Sequence, residues 1–300
     1  MTENKSDKTK TKLSRRILIT GANSYVGTNV ERWFMREPDK YHVDTIDMID
    51  GTWREKDFSY YDVVYHVAGI AHVNAKKNQE ALYYKVNTEL AIETAQLAKN
   101  AGVKQFLFMS SIIVYGESKS LKPVVITKNT EPKPNGFYGN SKLQAEIGIR
   151  KLEDEHFRVV ILRPPMIYGP GCKGNFPKLI ALAKKTPIFP AYHNQRSMLY
   201  IDNLCEFVRL VIDNEERGVF WPQNREYVDT CEVVRLVAKL MKRNFYIIPG
   251  INWAVSIFGI FIRQLPKMFG SLTYEQSISD YGHDYEVCSF QISLVRVIAE

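Results

Sequence analysis

The sequence predicts an α/β protein built on a doubly wound parallel sheet, with a smaller, interleaved C-terminal lobe. Short apolar, β-branched runs alternate with longer amphipathic segments from Arg16 onward, the first run ends in a glycine turn that opens a helix, and the alternation fails after Arg163. Strands joined by crossover helices give that pattern. The strands expected are Arg16–Thr20, His42–Ile46, Val63–Ala68, Gln105–Ser110 and Val159–Arg163, and the helices are Ser24–Met35, Tyr83–Asn100 and Tyr138–His156. Ala101-Gly102 supplies a helix stop, and Pro132 and Pro134 hold the chain extended before Tyr138. Past Arg163, a run of Pro and Gly from Pro164 to Gly174 takes the chain out of the sheet. The expected organisation is a basic tail over 1–14, a nucleotide-binding domain over 15–170 rejoined at about 197–230, and a substrate lobe over 171–196 and 231–300.

At 300 residues and 45% apolar content, the chain is long enough for one large core or two joined lobes. Its formal charge of +7 does not point to nucleic acid, because residues 1–16 hold six Lys/Arg against Glu3 and Asp7. That tail is polar, reads as disordered and is no signal peptide; the remaining excess of about +3 suits an anionic small ligand. Cys172, Cys205, Cys231 and Cys288 are scattered without metal-ligand spacing, so free thiols in a reducing cytosol are expected, with no metal. The apolar run 245–262 is interrupted by Pro249, Gly250, Asn252 and Gly259. It reads as a buried helix of the C-terminal lobe or, alternatively, as a helix lying on the inner face of a membrane.

The first strand ends in Thr20-Gly21-Ala22-Asn23-Ser24-Tyr25-Val26-Gly27, where a turn on Gly21 brings backbone N–H groups and a helix N-terminus onto a pyrophosphate. Gly27 allows helix and strand to pack closely, while Ser24 stands where a middle glycine is usual and offers a small hydroxyl instead. Asp47, about twenty residues on, is placed to accept both hydroxyls of an adenosine ribose and to repel a 2′-phosphate, which favours NAD over NADP. A register slip would exchange it with Asp44 or Asp50. Asp57 is either an adenine contact or a surface aspartate. Ala68 and Gly69, in His66-Val67-Ala68-Gly69, let backbone pass close to a cofactor; His66 itself reads as a packed histidine. Asn87 is suited to fixing neighbouring backbone or a water.

Phe108 to Gly116 is a strand ending in hydroxyls at the edge where ligands of such folds bind. In Phe137-Tyr138-Gly139-Asn140-Ser141-Lys142, helical spacing stacks a phenol beside an ammonium, which favours the phenolate and makes Tyr138 a base near neutrality. Ser111, Tyr138 and Lys142 together form an apparatus for moving an alcohol proton while hydride leaves the same carbon.

With these pieces in order, residues 16–230 resemble the extended short-chain dehydrogenase/reductase family, in its NAD-dependent sugar-nucleotide epimerase/dehydratase branch. Leu-Arg-Pro-Pro-x-x-Tyr-Gly-Pro-Gly from Leu162 and Arg-x-x-x-Tyr-Ile-Asp-Asn-Leu from Arg196 complete the series. The resemblance implies a Rossmann-type fold and a catalytic set of Ser111, Tyr138 and Lys142, with Ser111 chosen over Ser110 by its distance from Tyr115. It also implies NAD lined by Gly21, Ser24, Tyr25, Val26, Gly27, Asp47, Asp57, Ala68, Gly69, Asn87, Tyr138, Lys142 and, at the nicotinamide end, Pro164. Asn175 and Arg196 would join Ser111 and Tyr138 in holding a nucleoside-diphosphate sugar. Dehydratases of the branch usually carry Asp-Glu after the hydroxyl residue; Ile112 and Ile113 stand there. That favours epimerisation at C4 of a UDP-hexose or UDP-N-acetylhexosamine for surface polysaccharide. A keto-sugar reductase and a non-catalytic NAD(P)-binding regulator are the alternatives. A cytoplasmic homodimer paired through the helices 83–100 and 138–156 is the assembly expected.

Overall fold

The computed structural model describes residues 14–71, 77–117, 121–250 and 270–299. The N-terminal tail and most of the apolar run 245–262 therefore lie outside the described residues. Six parallel strands form the central sheet: β1 (Arg15–Thr20), β2 (Tyr41–Ile46), β3 (Val63–His66), β4 (Gln105–Met109), β6 (Arg158–Leu162) and β10 (Gly218–Phe220), in the spatial order β2-β1-β3-β4-β6-β10. The strand order reverses between β1 and β3, which opens a crevice at the carboxyl ends of those two strands.

Alternate residues of each strand select the face they bury. Ile17, Ile19, Tyr65, Leu107, Val160 and Leu162 enter one core, which also holds Val30 and Phe34 of α1 (Tyr25–Phe34) and Leu204, Val208 and Val211 of α6 (Ile201–Asp213). Leu18, Val64, Phe106, Phe108, Val159 and Ile161 enter the other, against Ala91, Ala95 and Ala98 of α3 (Leu90–Asn100) and Ala145 and Ile149 of α4 (Phe137–Arg150). α3 is the continuation of α2 (Glu80–Tyr83) through a π turn, Tyr84–Glu89. Gly148 lets α4 approach α3, since a Cβ there would lie 2.3 Å from Ile92 Cδ1.

The remaining strands are three residues long and pair at long range. β5 (Val124–Ile126) pairs with β12 (Leu272–Tyr274), β7 (Met166–Tyr168) with β9 (Met198–Tyr200), and β8 (Ile188–Pro190) with β11 (Tyr246–Ile248). α5 (Asn175–Lys185), α7 (Thr230–Leu240), α8 (Gln276–Ser279) and α9 (Phe290–Ala299) complete the described elements.

Two sequence expectations need correcting. The helix expected to start at Phe245 gives way, over its described part, to strand β11 and a turn at Gly250 with φ +84°. Tyr-Ile-Ile suits an extended strand, and Pro249-Gly250 ends it. The helix expected over Tyr138–His156 ends at Arg150, because Asp154 accepts the N–H groups of His156 and Phe157 (2.8 and 2.9 Å) and turns the chain into β6.

Candidate active site

At the carboxyl end of β1, Gly21 adopts φ +88°, and a Cβ on it would lie 2.9 Å from the Ala68 backbone. Only glycine lets the two strand ends converge there. The Gly21 and Ala22 N–H groups both donate to the Ile46 carbonyl (2.8 and 3.0 Å), so the turn itself is spoken for. What it leaves open is the mouth of α1, whose first N–H groups, those of Tyr25 and Val26, helix geometry leaves without intrahelical partners. Ser24 caps that helix by accepting from the Gly27 N–H at 3.0 Å, which keeps its hydroxyl proton free to donate outward. The Tyr25 side chain points the other way, its hydroxyl buried against Gly169.

Of the three nearby aspartates, Asp47 follows the last residue of β2 and is exposed, with Oδ1 accepting from the Ile49 N–H at 2.9 Å. Asp44 is taken up by Tyr61 and lies 3.7 Å from Lys56, and Asp50 accepts from Thr52. Asp57 is exposed and caps the short turn Phe58–Tyr60 through Ser59 N–H. His66 is fully buried, with Nδ1 2.8 Å from Thr20 Oγ1, and burial, aided by nearby Lys142, takes its imidazole down to about 3. It is a neutral core histidine.

Beyond β3, the Asn87 amide accepts from the Ile70 N–H (2.8 Å) and donates to the Ile70 carbonyl and to Ser141 Oγ (both 3.1 Å). It thereby locks the Gly69–Ile70 backbone to α4. Gly69 faces Lys142, whose Nζ would stand 3.1 Å from a Cβ at that position.

Ser111, two residues past β4, caps a short helical turn, Ile112–Tyr115, accepting from the Ile113 N–H at 3.3 Å. The Ile112 N–H in turn reaches the Pro164 carbonyl at 2.9 Å, which ties this turn to the end of β6. Gly139 brings α4 onto the same turn: a Cβ there would be 2.6 Å from the Ile113 carbonyl oxygen. The contact sets Tyr138 beside Ser111, near enough for the serine side chain to favour the phenolate.

Burial, chiefly, pushes the Tyr138 phenol up to about 12; the neighbouring Ser111 side chain pulls it down and Tyr83 adds to the rise. The expectation that Lys142 alone makes this phenol acidic is thus corrected. Lys142 Nζ donates to the Met109 carbonyl at 2.8 Å and sits 4.7 Å from the centre of the Phe108 ring, and Tyr138 feels burial more than it feels that charge. Burial brings the Lys142 ammonium down to about 8, while Glu146, one helical turn on, holds it up.

The sequence reading missed the group behind this set. Glu146, 1% exposed, accepts from Arg163 (Nε 3.1 Å, Nη2 2.5 Å) and from Ser110, and Arg163 Nη1 donates to the Tyr115 hydroxyl at 2.7 Å. Trp221 Nε1 donates to the same hydroxyl at 2.7 Å. One carboxylate therefore joins α4 to the ends of β4 and β6, and through Tyr115 to Trp221 just past β10. The available signal was the third helical step in Tyr138, Lys142, Glu146. Of the expected substrate residues, Asn175 is exposed at the start of α5, while Arg196 is half-buried, its N–H donating to the Val228 carbonyl at 3.0 Å. Burial holds the Arg196 guanidinium below its ordinary range. Cavities open at the amino edge of the sheet and beside Tyr281 and Tyr285.

Residues 17–221, spanning this whole constellation, match the model of the NAD dependent epimerase/dehydratase family. The chain belongs to that family. It is 32% identical over 282 residues to a UDP-glucose 4-epimerase of Vibrio cholerae, covering 86% of this chain and 84% of that protein. It is 27% identical over 219 residues to the N-acetyl-alpha-D-glucosaminyl-diphospho-ditrans,octacis-undecaprenol 4-epimerase of Escherichia coli O157:H7, covering 67% and 64%. Among solved structures, a dTDP-4-dehydrorhamnose reductase of Clostridium acetobutylicum superposes with TM-score 0.73 at 20% identity, covering 95% of this chain and 98% of that one. A UDP-glucuronic acid 4-epimerase of Bacillus cereus in complex with NAD superposes with TM-score 0.71 at 18% identity, covering 95% and 97%. These last two likenesses establish the fold. The family's dinucleotide fits the residues present: Gly21 and Ala68 meet backbone to backbone with no room for a Cβ on Gly21, and an exposed carboxylate stands at the tip of β2.

Proposed function

We propose that the protein inverts C4 of a nucleoside-diphosphate sugar through a 4-keto intermediate. The observation that carries the reading is the convergence of Ser111, Tyr138 and buried Lys142 at the carboxyl edge of the sheet, where Gly139 seats α4 on the turn that Ser111 caps. NAD, when bound, supplies a hydride acceptor and a positive ring charge. Gly21, Ser24, the N–H groups of Tyr25 and Val26, and Gly27 would hold its pyrophosphate, Asp47 its ribose, and Asp57 its adenine. Ala68, Gly69, Asn87 and Pro164 would frame the nicotinamide end, and Lys142 would bond the second ribose.

Within that frame Ser111 orients the C4 hydroxyl and Tyr138 takes its proton, returning it after the keto sugar turns over. Ile112 and Ile113 offer no acid to expel a hydroxyl, which favours epimerisation over loss of water. Asn175 and Arg196 would hold the diphosphate and its nucleoside. UDP is favoured by the Vibrio cholerae relative. The second reading, a keto-sugar reductase, draws on the reductase likeness. The two separate in one assay: UDP-glucose incubated with the protein and NAD yields UDP-galactose by NMR with no net NADH for the epimerase, whereas stoichiometric NADH consumption by a keto sugar and no inversion reject it.

The further expectations follow from the same reading. A homodimer would pair through α3 and α4, the helices expected over 83–100 and 138–156; Ile147 of α4 is 44% exposed. The protein would act in the cytoplasm; among the described residues no helix is long and apolar enough to cross a membrane.

A further inference from the structure

The positive charge of this protein is concentrated outside the nucleotide-binding sheet. Residues 171–196 contain five Lys/Arg and no Asp/Glu, and residues 233–274 contain six Lys/Arg and no Asp/Glu, in a chain holding 33 acidic residues. The fold brings these two stretches together. α5 packs on α7, the Arg243 guanidinium donates to the Ala183 carbonyl at 3.4 Å, and β8 pairs with β11 so that Ile188 stands opposite Tyr246. The C-terminal ends of two helices and the starts of two strands therefore share one edge. Exposed there are Lys184, Lys185, Lys239, Lys242 and Arg243. Between them stand three large apolar side chains: Ile188 (49% exposed), Leu240 (43%) and Tyr246 (64%).

Lysines in a last helical turn suit the carbonyl end of the helix on their own account, and that explains Lys184, Lys185 and Lys239. Arg243 likewise meets the end of α5 through the Ala183 carbonyl, but that does not explain Lys242, which lies past the end of α7, nor why water-facing Leu240 and Tyr246 sit beside it. A ring of cations around exposed aliphatic and aromatic groups complements a surface that is anionic at the head and apolar beneath.

We propose that this edge, Lys184, Lys185, Ile188, Lys239, Leu240, Lys242, Arg243 and Tyr246, docks the protein onto an anionic lipid bilayer. The lysine and arginine heads meet lipid phosphates while Ile188, Leu240 and Tyr246 enter the headgroup layer. α5 runs from Asn175 to Lys185, about 16 Å at the helical rise, so the docked edge lies one helix length from a proposed substrate contact. The inference stands on surface charge and exposure, and holds whichever sugar the site takes.

Co-sedimentation of the full chain with vesicles tests it. Expected is binding to 70:30 phosphatidylcholine/phosphatidylglycerol vesicles at least tenfold tighter than to phosphatidylcholine alone, weakening as salt is raised to 0.5 M. A Lys184→Glu/Lys185→Glu/Lys242→Glu variant loses that preference, and Ile188→Ser/Tyr246→Ser lowers the part that survives salt. The basic tail is the rival source of attraction, so a Lys8→Glu/Lys10→Glu/Lys12→Glu variant is run beside them and should retain most binding. Equal binding to the two vesicle types, or loss caused by the tail variant and not by the edge variant, overturns the proposal.

Discussion

Tyr138→Phe is expected to lower turnover by between about 10²- and 10⁴-fold while leaving NAD binding and the fold in place. That range is what a positioned general acid–base group contributes. The change removes one oxygen. It keeps the ring edge against Tyr83, whose centroid lies 6.0 Å away, and removes only the hydroxyl beside Ser111. Loss of one hydrogen-bonding group costs about 1 kcal/mol, too little to unfold a domain of this size. Steady-state rates, with NAD affinity measured by fluorescence titration, check it. Undiminished turnover would remove Tyr138 from the chemistry, and equal loss of NAD binding would make its role structural.

The second large effect belongs to Glu146. Glu146→Gln leaves the Arg163 guanidinium, 6% exposed, without its counter-charge, and breaking a buried pair from one side costs about 3–5 kcal/mol. A sizeable fall in thermal midpoint is expected. Restoring neutrality with Glu146→Gln/Arg163→Met recovers most of that loss, because no buried charge is left unpaired. The pH dependence separates this structural part from an electrostatic one. Lys142 carries its charge below about 8, held there against burial by Glu146, so any step that needs the ammonium fails as pH rises through that value. Without the carboxylate the folded pKa drops further, and the alkaline limb of the rate profile moves to lower pH in both Gln variants. Arg163→Met alone keeps the carboxylate and should not move the limb downward. A limb that stays put in the Gln variants would reduce Glu146 to a packing role.

The central sheet was legible because four of its strands, β1, β3, β4 and β6, are buried on both faces, so apolar β-branched runs such as Ile17-Leu18-Ile19 and Val159-Val160-Ile161-Leu162 declare themselves, and the edge strand β2, though partly exposed, still carries β-branched Val43, Thr45 and Ile46. The sixth, β10, is three residues long and showed only as a return toward the sheet. β8 and β11 were not legible at all. Each has three residues and a partner more than fifty positions away, and nothing local distinguishes such a ladder from a loop.

The site divides in the same way. Ser111, Tyr138 and Lys142 lie on elements whose spacing fixes their direction. Glu146 reads in sequence as an ordinary partner for a lysine one turn earlier on a helix surface. Its burial depends on Arg163, seventeen residues on, arriving from β6. The reverse failure concerns Tyr138, where helical adjacency suggested a lowered pKa and burial produced a raised one. A phenol at about 12 is almost wholly protonated near neutrality, and a second positive charge at the site would lower it; the oxidised nicotinamide ring of the family's cofactor carries one.

That lowering can be read directly as tyrosinate absorbance at 295 nm, taken as the difference between the protein and Tyr138→Phe across pH 6 to 9. With saturating NAD⁺, one additional tyrosinate should appear by pH 9, a fall of about three pKa units, the upper end of what an adjacent opposite charge produces. With NADH or without dinucleotide, it should not appear. If NAD⁺ binds and the difference spectrum stays flat to pH 9, Tyr138 is not the base and the proposed route through the 4-keto sugar is wrong.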